Sequence, residues 1–258
     1  MSRPLTIVAD ENMPNLQRLF GACGNITALP GRAICADDLV DCDILLVRSV
    51  TRVDAALLAA SPVQFVGSAT IGTDHIDRDY LASRQIAFAH APGCNAASVV
   101  QYDLAALALL RHGWRSARIG VLGGGNVGSR VAAQLAALGA AVVVCDPLLR
   151  QTDSGQRLVG LESLLGCDIV LLHAPLTTTG SHPTHHLIGA AELAALPSGA
   201  LLLNAGRGGV IDNRALLEFL QGGAALTVAL DVWEDEPQIN HELVEQVALA
   251  TPHIAGYS

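Results

Sequence analysis

Three short segments carry residues able to hold a charge or move a proton beside a redox centre. They are "NAGRGGVID" with Arg207, "LDVWEDEP" with Asp231, Glu234, Asp235 and Glu236, and "TPHIAG" with His253. Oxidising an alcohol to a ketone by hydride removal requires a base for the hydroxyl proton, and an acid substrate also requires a cation for its carboxylate. Arg207, set among glycines, can grip a carboxylate through two parallel bonds while its small neighbours leave room for substrate. His253 can serve as the base, and any of the four acids could pair with it and fix its tautomer. Each segment closes a strand-like apolar run, the end at which open α/β sheets bind ligands.

A hydride acceptor is the remaining requirement. "VLGGGNVGSRVAAQLAALGAAVVVCDP" matches G-x-G-x-x-G at Gly123, Gly125 and Gly128, after a strand and opening a helix, with Asn126 and Val127 inside the loop. The first glycine permits the tight turn, the second lets backbone N–H groups approach a pyrophosphate, and the third allows close helix–strand contact. Asp146 follows Gly128 by 18 residues at the end of the next strand, near the spacing of about 20 for an acid that binds a ribose 2′-OH. A carboxylate there repels a 2′-phosphate, and "DPLLR" offers only the more distant Arg150, so the expected cofactor is NAD rather than NADP.

The elements that must position these groups alternate along the chain. "LTIVAD", "DILLVRS", "VQFVGSAT" and "IAFAHAP" are strand-like runs separated by helical patterns, which makes a first α/β unit over residues 1–94. "CNAASVVQYDLAALALLRH" (94–112) is the longest helix candidate, with Asn95 as N-cap and an almost wholly apolar surface, and reads as a connector packed between two domains. From "ARIGVLGGGNVG" onward the alternation repeats, giving a second unit over 95–258. The expected fold is α/β: two Rossmann-like or flavodoxin-like domains with parallel sheets and a cleft between them.

Composition agrees with that class and excludes others. Of the 258 residues, 51% are hydrophobic but only 3% aromatic, as suits buried parallel strands covered by Ala/Leu-rich helices. The net charge is −9, and without a Lys/Arg cluster nucleic acid is not an expected partner. No run approaches ~18 apolar residues and the N-terminus lacks a secretory pattern, so neither membrane nor export is expected. Six scattered cysteines without C-x-x-C read as reduced, buried thiols of a cytoplasmic protein. "SHPTHH" (181–186) has three histidines but no Cys or carboxylate companion in a Thr/Gly/Pro-rich loop, and no metal is expected.

Taken together, "LGGGNVG" with Asp146, "NAGRGGVID", "LDVWEDEP" and "TPHIAGY" resemble the NAD-dependent D-2-hydroxyacid dehydrogenases. "VADENMP", "LLVRSVTRV", "FVGSATIGTDHID", "APGCNAASVVQY" and "HIAGYS" narrow the resemblance to the branch that oxidises 4-phospho-D-erythronate in pyridoxal phosphate synthesis. The resemblance implies a substrate-binding domain over 1–94 and an NAD-binding domain carrying the catalytic residues over 95–258. It implies that Arg207 orients the substrate carboxylate, that His253 exchanges the proton and that Glu236 pairs with His253. It further implies that Asp146, Asp231 and Gly256 touch the cofactor and that Ser49, Thr70 and Tyr257 face the substrate. Ala174, in "HAPL", stands where relatives often carry Thr, so only a backbone contact is carried over. Arg48 and Arg52 are candidates for the substrate phosphate by position alone.

Chains of that branch continue for on the order of a hundred residues beyond "HIAGY", through a helix returning to the first domain and a C-terminal domain used to form a homodimer. Weak or no turnover is therefore expected of the 258-residue chain. Two other readings stay open on residues alone: a dehydrogenase for another 2-hydroxy acid, and a module that binds NAD without catalysis.

Overall fold

The computed structural model describes residues 3–70, 72–150 and 157–257. Ile71, within the "FVGSATIGTDHID" motif, lies outside them. The chain divides into two compact units, Met1–Cys94 and Asn95–Ser258.

The first unit is a five-stranded parallel sheet in the order β2-β1-β3-β4-β5, the flavodoxin-like order. Its strands are β1 (Leu5–Asp10), β2 (Gly24–Leu29), β3 (Ile44–Val47), β4 (Phe65–Ser68) and β5 (Ala87–His90). Helices α1 (Leu16–Phe20), α2 (Ala55–Leu58) and α3 (Arg78–Ser83) connect them. Asp54 caps α2 by accepting from Ala56 N and Leu57 N at 3.0 and 3.2 Å, and Asp77 caps α3 through Tyr80 N at 2.9 Å. Strand β2, "GNITAL", has no counterpart among the expected runs. As an edge strand it is covered on one side only, so its residues alternate in burial and never form an apolar run.

The second unit is a six-stranded parallel sheet in the order β11-β10-β9-β8-β6-β7. Its strands are β6 (Arg118–Leu122), β7 (Ala141–Cys145), β8 (Ile169–Leu172), β9 (Ala200–Asn204), β10 (Leu226–Leu230) and the two-residue β11 (Leu249–Ala250). Strands β8 and β9 are buried at every position, because helices cover both faces. Val170, Leu172 and Leu202 pack into one apolar cluster, and Ile169, Leu171, Leu201 and Leu203 into the opposite one. The covering helices include α4 (Ala96–Leu110), α5 (Gly128–Ala137), α6 (Leu161–Leu165), α7 (Ala190–Ala195), α8 (Asn213–Gln221) and α9 (His241–Gln246).

Helix α4 starts where "CNAASVV" implied, but Asn95 makes no side-chain capping bond. Its buried residues are Ala96, Ser98, Val99, Asp103, Ala106 and Leu107, whereas Leu109 is 66% exposed. Among the described residues no helix is long and apolar enough to cross a membrane. The cysteines depart from expectation: Cys42, Cys145 and Cys167 are buried, but Cys23, Cys35 and Cys94 are exposed. Those three lie in turns or at element ends, where an apolar neighbour in sequence does not mean a covered side chain. Burial raises the thiol pKa of Cys42, Cys145 and Cys167.

Candidate active site

The second unit gathers its polar groups along one edge, the carboxyl ends of its strands. In the sheet order, β6 pairs with β7 on one side and β8 on the other, so the chain reverses direction of winding there. This is the switch point at which α/β sheets open a crevice. Gly123 sits on it at φ +87°, and a Cβ there would lie 2.8 Å from Ala174 N. At Gly128 a Cβ would meet Gly123 O at 1.8 Å, so only glycine lets α5 begin against the loop. Gly125 is different: a Cβ would find nothing within 4 Å. The chain thus leaves space in front of that backbone, which is what a pyrophosphate needs.

Asp146 closes the far side of the loop. Its Oδ2 accepts from Gly124 N at 2.8 Å and its Oδ1 from Leu148 N at 3.0 Å, so the carboxylate is fixed against the glycine turn. Gly123, Gly125, Asp146, Ala174, Thr179 and Leu187 are among the residues around a mostly apolar cavity of about 850 Å³. Such a cavity is of the size that takes a cofactor. Asn126 is exposed and Val127 half-buried, at the mouth of α5.

At the other end of the edge the strand pairing continues past β9, β10 and β11. Asp231 N donates to Asn204 O at 2.9 Å, and His253 N to Asp231 O at 2.7 Å. Arg207 therefore leaves the sheet beside Asp231, and His253 beside it on the other side. Five inter-strand steps separate β11 from β7, so His253 and Asp146 stand on the order of 24 Å apart along the edge.

Arg207 is held by its backbone. Asn204 Nδ2 donates to Arg207 O at 2.9 Å, and Gly206 N to Asn204 Oδ1 at 3.0 Å. A Cβ on Gly208 would fall 2.0 Å from Trp233 C, so the turn after Arg207 must be glycine. The guanidinium Nη1 donates to Gly206 O at 2.8 Å.

His253 Nδ1 lies 2.9 Å from Glu236 Oε2, and Glu236 Oε1 accepts from Trp233 N at 2.9 Å. This arrangement commits Nδ1 to the carboxylate and leaves Nε2 as the ring's second nitrogen. His253 itself is left-handed at φ +58°, and the chain holds it there through Asp231. That carboxylate is 1% exposed. It accepts from Thr251 Oγ1 at 2.6 Å, Ile254 N at 2.7 Å and Ala255 N at 2.8 Å. Asp231, expected as a cofactor contact, thus directs both oxygens into the segment that carries His253.

Tyr102 on α4 adds a further tie, its hydroxyl hydrogen-bonded to Thr251 Oγ1 at 2.7 Å. Burial, with a contribution from nearby Asp231, pushes the Tyr102 pKa up to about 12, against the opposing effect of its bond to Thr251. Sequence reading missed Tyr102, whose link to Thr251 spans 149 residues. It also missed His173, which borders the cavity. His173 Nε2 lies 2.9 Å from Asp103 Oδ2 with both side chains 1% exposed, although their alignment is not that of a hydrogen bond.

The remaining candidates follow the same edge rule. A Cβ on Gly256 would meet Asn95 Nδ2 at 2.5 Å, and Tyr257 is 50% exposed. In the first unit, Ser49 and Thr70 each lie two residues beyond a strand, after β3 and β4. Thr70 Oγ1 donates to Gly72 O at 3.1 Å and lies 2.8 Å from Ser68 Oγ. Arg52 pairs with Asp54 at 2.8 Å.

A parallel sheet with a glycine loop at its switch point and a His–carboxylate pair at the same edge is the architecture of nucleotide-dependent oxidoreductases. Residues 96–255 match the family described as "D-isomer specific 2-hydroxyacid dehydrogenase, NAD binding domain". The chain is 53% identical over 256 residues to the erythronate-4-phosphate dehydrogenase of Teredinibacter turnerae, covering 98% of this chain and 69% of that one. The chain belongs to the erythronate-4-phosphate dehydrogenase family of D-isomer specific 2-hydroxyacid dehydrogenases.

Solved structures share the fold. A protein of Thermus thermophilus superposes with a TM-score of 0.85 at 26% identity, over 98% of this chain and 91% of that one. Aquifex aeolicus D-lactate dehydrogenase, determined with NAD and lactic acid, gives 0.81 at 24% identity, over 98% and 89%.

Proposed function

We propose that the chain is an NAD-dependent oxidoreductase that converts 4-phospho-D-erythronate to (R)-3-hydroxy-2-oxo-4-phosphooxybutanoate, a step of pyridoxal 5′-phosphate synthesis. The observation that carries this reading is the His253–Glu236 pair, 2.9 Å apart, on the same sheet edge as an open glycine loop. NAD, when bound, supplies the hydride acceptor. The loop backbone around Gly125 would hold its pyrophosphate and Asp146 its adenosine ribose, leaving Ala174 to contribute a backbone contact.

His253 Nε2 takes the proton of the substrate's C2 hydroxyl, and Glu236 stabilises the imidazolium that forms and keeps Nδ1 as the protonated nitrogen. Arg207 holds the substrate carboxylate through its fork of N–H donors and fixes C2 relative to His253. Tyr257 adds a substrate contact from the same unit in this reading. Unpaired thiols among the described residues support a cytoplasmic setting.

A panel of acids tests the substrate. With the chain in excess over NAD, a single turnover is followed by NADH absorbance for 4-phospho-D-erythronate, 3-phospho-D-glycerate, D-glycerate and D-lactate. The fastest conversion is expected with 4-phospho-D-erythronate; a faster reaction with an unphosphorylated acid would reassign the substrate.

A further inference from the structure

The histidine-rich loop at the rim of the cofactor cavity carries a second chemistry. By sequence alone "SHPTHH" has no carboxylate companion, but the fold supplies one from 48 residues away, with His186 Nε2 lying 2.5 Å from Glu234 Oε1. His185 Nε2 approaches the same oxygen at 3.9 Å. These three side chains form a group whose donor atoms all lie within 4.8 Å of one another. From these contacts we infer that His185, His186 and Glu234 bind a divalent first-row transition metal of the zinc class, with at least one coordination position left to water.

Local structure explains how two successive side chains come to lie on the same side of the chain. Neighbours on extended backbone project to opposite sides, but His186 is left-handed at φ +53°. The two imidazoles consequently stack, with centroids 3.8 Å apart and planes 23° apart. Both are anchored by their backbones, His185 N to Thr177 O at 3.0 Å and His186 N to Gly209 O at 2.8 Å. Glu234 is anchored separately, its Oε2 accepting from Asn213 N at 3.3 Å, which leaves Oε1 toward the rings.

The dimensions fit. Zn–N and Zn–O bonds of about 2.0–2.1 Å in a tetrahedron put neighbouring donor atoms roughly 3.3 Å apart. The two separations to Glu234 Oε1, 2.5 and 3.9 Å, bracket that value, and all three donors lie within 4.8 Å of one another, so side-chain shifts on the order of 1–2 Å would seat the ion. A carboxylate also stands near the site: His186 Nδ1 lies 3.8 Å from Asp212 Oδ2, a proximity beyond hydrogen-bond reach. The donors are partly exposed, with side-chain accessibilities of 45% for His185, 36% for His186 and 24% for Glu234. An ion can therefore enter without unfolding. Once bound, it would fasten the rim of the cofactor cavity, which runs through Pro183, Thr184 and Leu187, to the loop that carries Glu236.

Calorimetric titration of the full chain with ZnCl₂, its cysteines kept reduced, tests the site. One saturable equivalent is expected, weakened at least tenfold in His185→Ala, in His186→Ala and in Glu234→Gln, but retained in His253→Ala. The absence of saturable binding, or unchanged binding in the His185 and His186 variants, would overturn the inference. CoCl₂ gives an independent reading that needs no variant: a d–d spectrum of nitrogen and oxygen ligation is expected. A thiolate-to-metal charge-transfer band would assign the ion to the cysteines instead and overturn it equally.

Discussion

Replacing Asp231 by Asn separates a positioning role from a cofactor contact. The carboxylate accepts three bonds, two on Oδ1 from Thr251 Oγ1 and Ile254 N and one on Oδ2 from Ala255 N. An amide can keep its oxygen toward Thr251 and Ile254, but its NH₂ then faces the Ala255 N–H, and two donors meet. One bond to a charged acceptor, worth about 1.5–3 kcal/mol, is lost, and the other two weaken to the neutral range. Because the group is 1% exposed, water cannot repair the mismatch, and the expected loss is about 2–4 kcal/mol. For a unit of this size that lowers Tm on the order of 5–15 °C. Thermal unfolding by circular dichroism reads the stability, single-turnover NADH formation reads the chemistry, and fluorescence titration reads NADH affinity. The His253 segment loosens, so the rate is expected to fall by about 10²-fold, as for a misplacement of the order of 1 Å, with NADH affinity changed little. Unaltered Tm and rate accompanied by a large loss of NADH affinity would refute the reasoning and return Asp231 to the cofactor.

Two glycine variants should part company. Gly125→Ala meets nothing within 4 Å and Gly128→Ala meets Gly123 O at 1.8 Å. The first is expected to fold with unchanged Tm yet bind NADH at least tenfold more weakly, and the second to lose several degrees of Tm. Asp146→Ala is expected to weaken NADH binding by about 10- to 100-fold while costing NADPH less, as direct titration with each would measure. Tyr102 gives a pH signature, because its pKa rises from 10 to about 12 on folding. Its contribution to stability is complete below pH 10 and disappears as pH rises through about 12, since only the unfolded chain releases the proton in that window. Ultraviolet titration should show one of the three tyrosines ionising late, and Tyr102→Phe should remove that late step.

The legible parts of this molecule were those written in local spacing. Gly123, Gly125, Gly128 and Asp146 form a pattern because each is fixed by the same strand–turn–helix unit, and the fully buried β8 and β9 read as unbroken apolar runs. Strand β2 was illegible because a half-covered edge strand produces neither a run nor a cap. Among the acids of "LDVWEDEP", spacing could not say which does what. Asp231 turns toward the Thr251–Ala255 segment, Glu234 toward His186 and Glu236 toward His253. Those partners lie between 17 and 48 residues away, and only the completed sheet edge brings them together. Tyr102 and the buried Asp103–His173 contact left no local signal, since α4 reads as apolar helix whichever of its residues faces the sheet.

The central claim is that His253 Nε2 removes the substrate's hydroxyl proton. It is tested most directly by the single-turnover rate of NADH formation from 4-phospho-D-erythronate in the wild-type chain and in His253→Ala. NADH affinity is measured on both. A fall in rate of about 10²- to 10⁴-fold, with affinity changed by less than about threefold, is the predicted result. An equal rate of NADH formation in the two proteins would contradict the account.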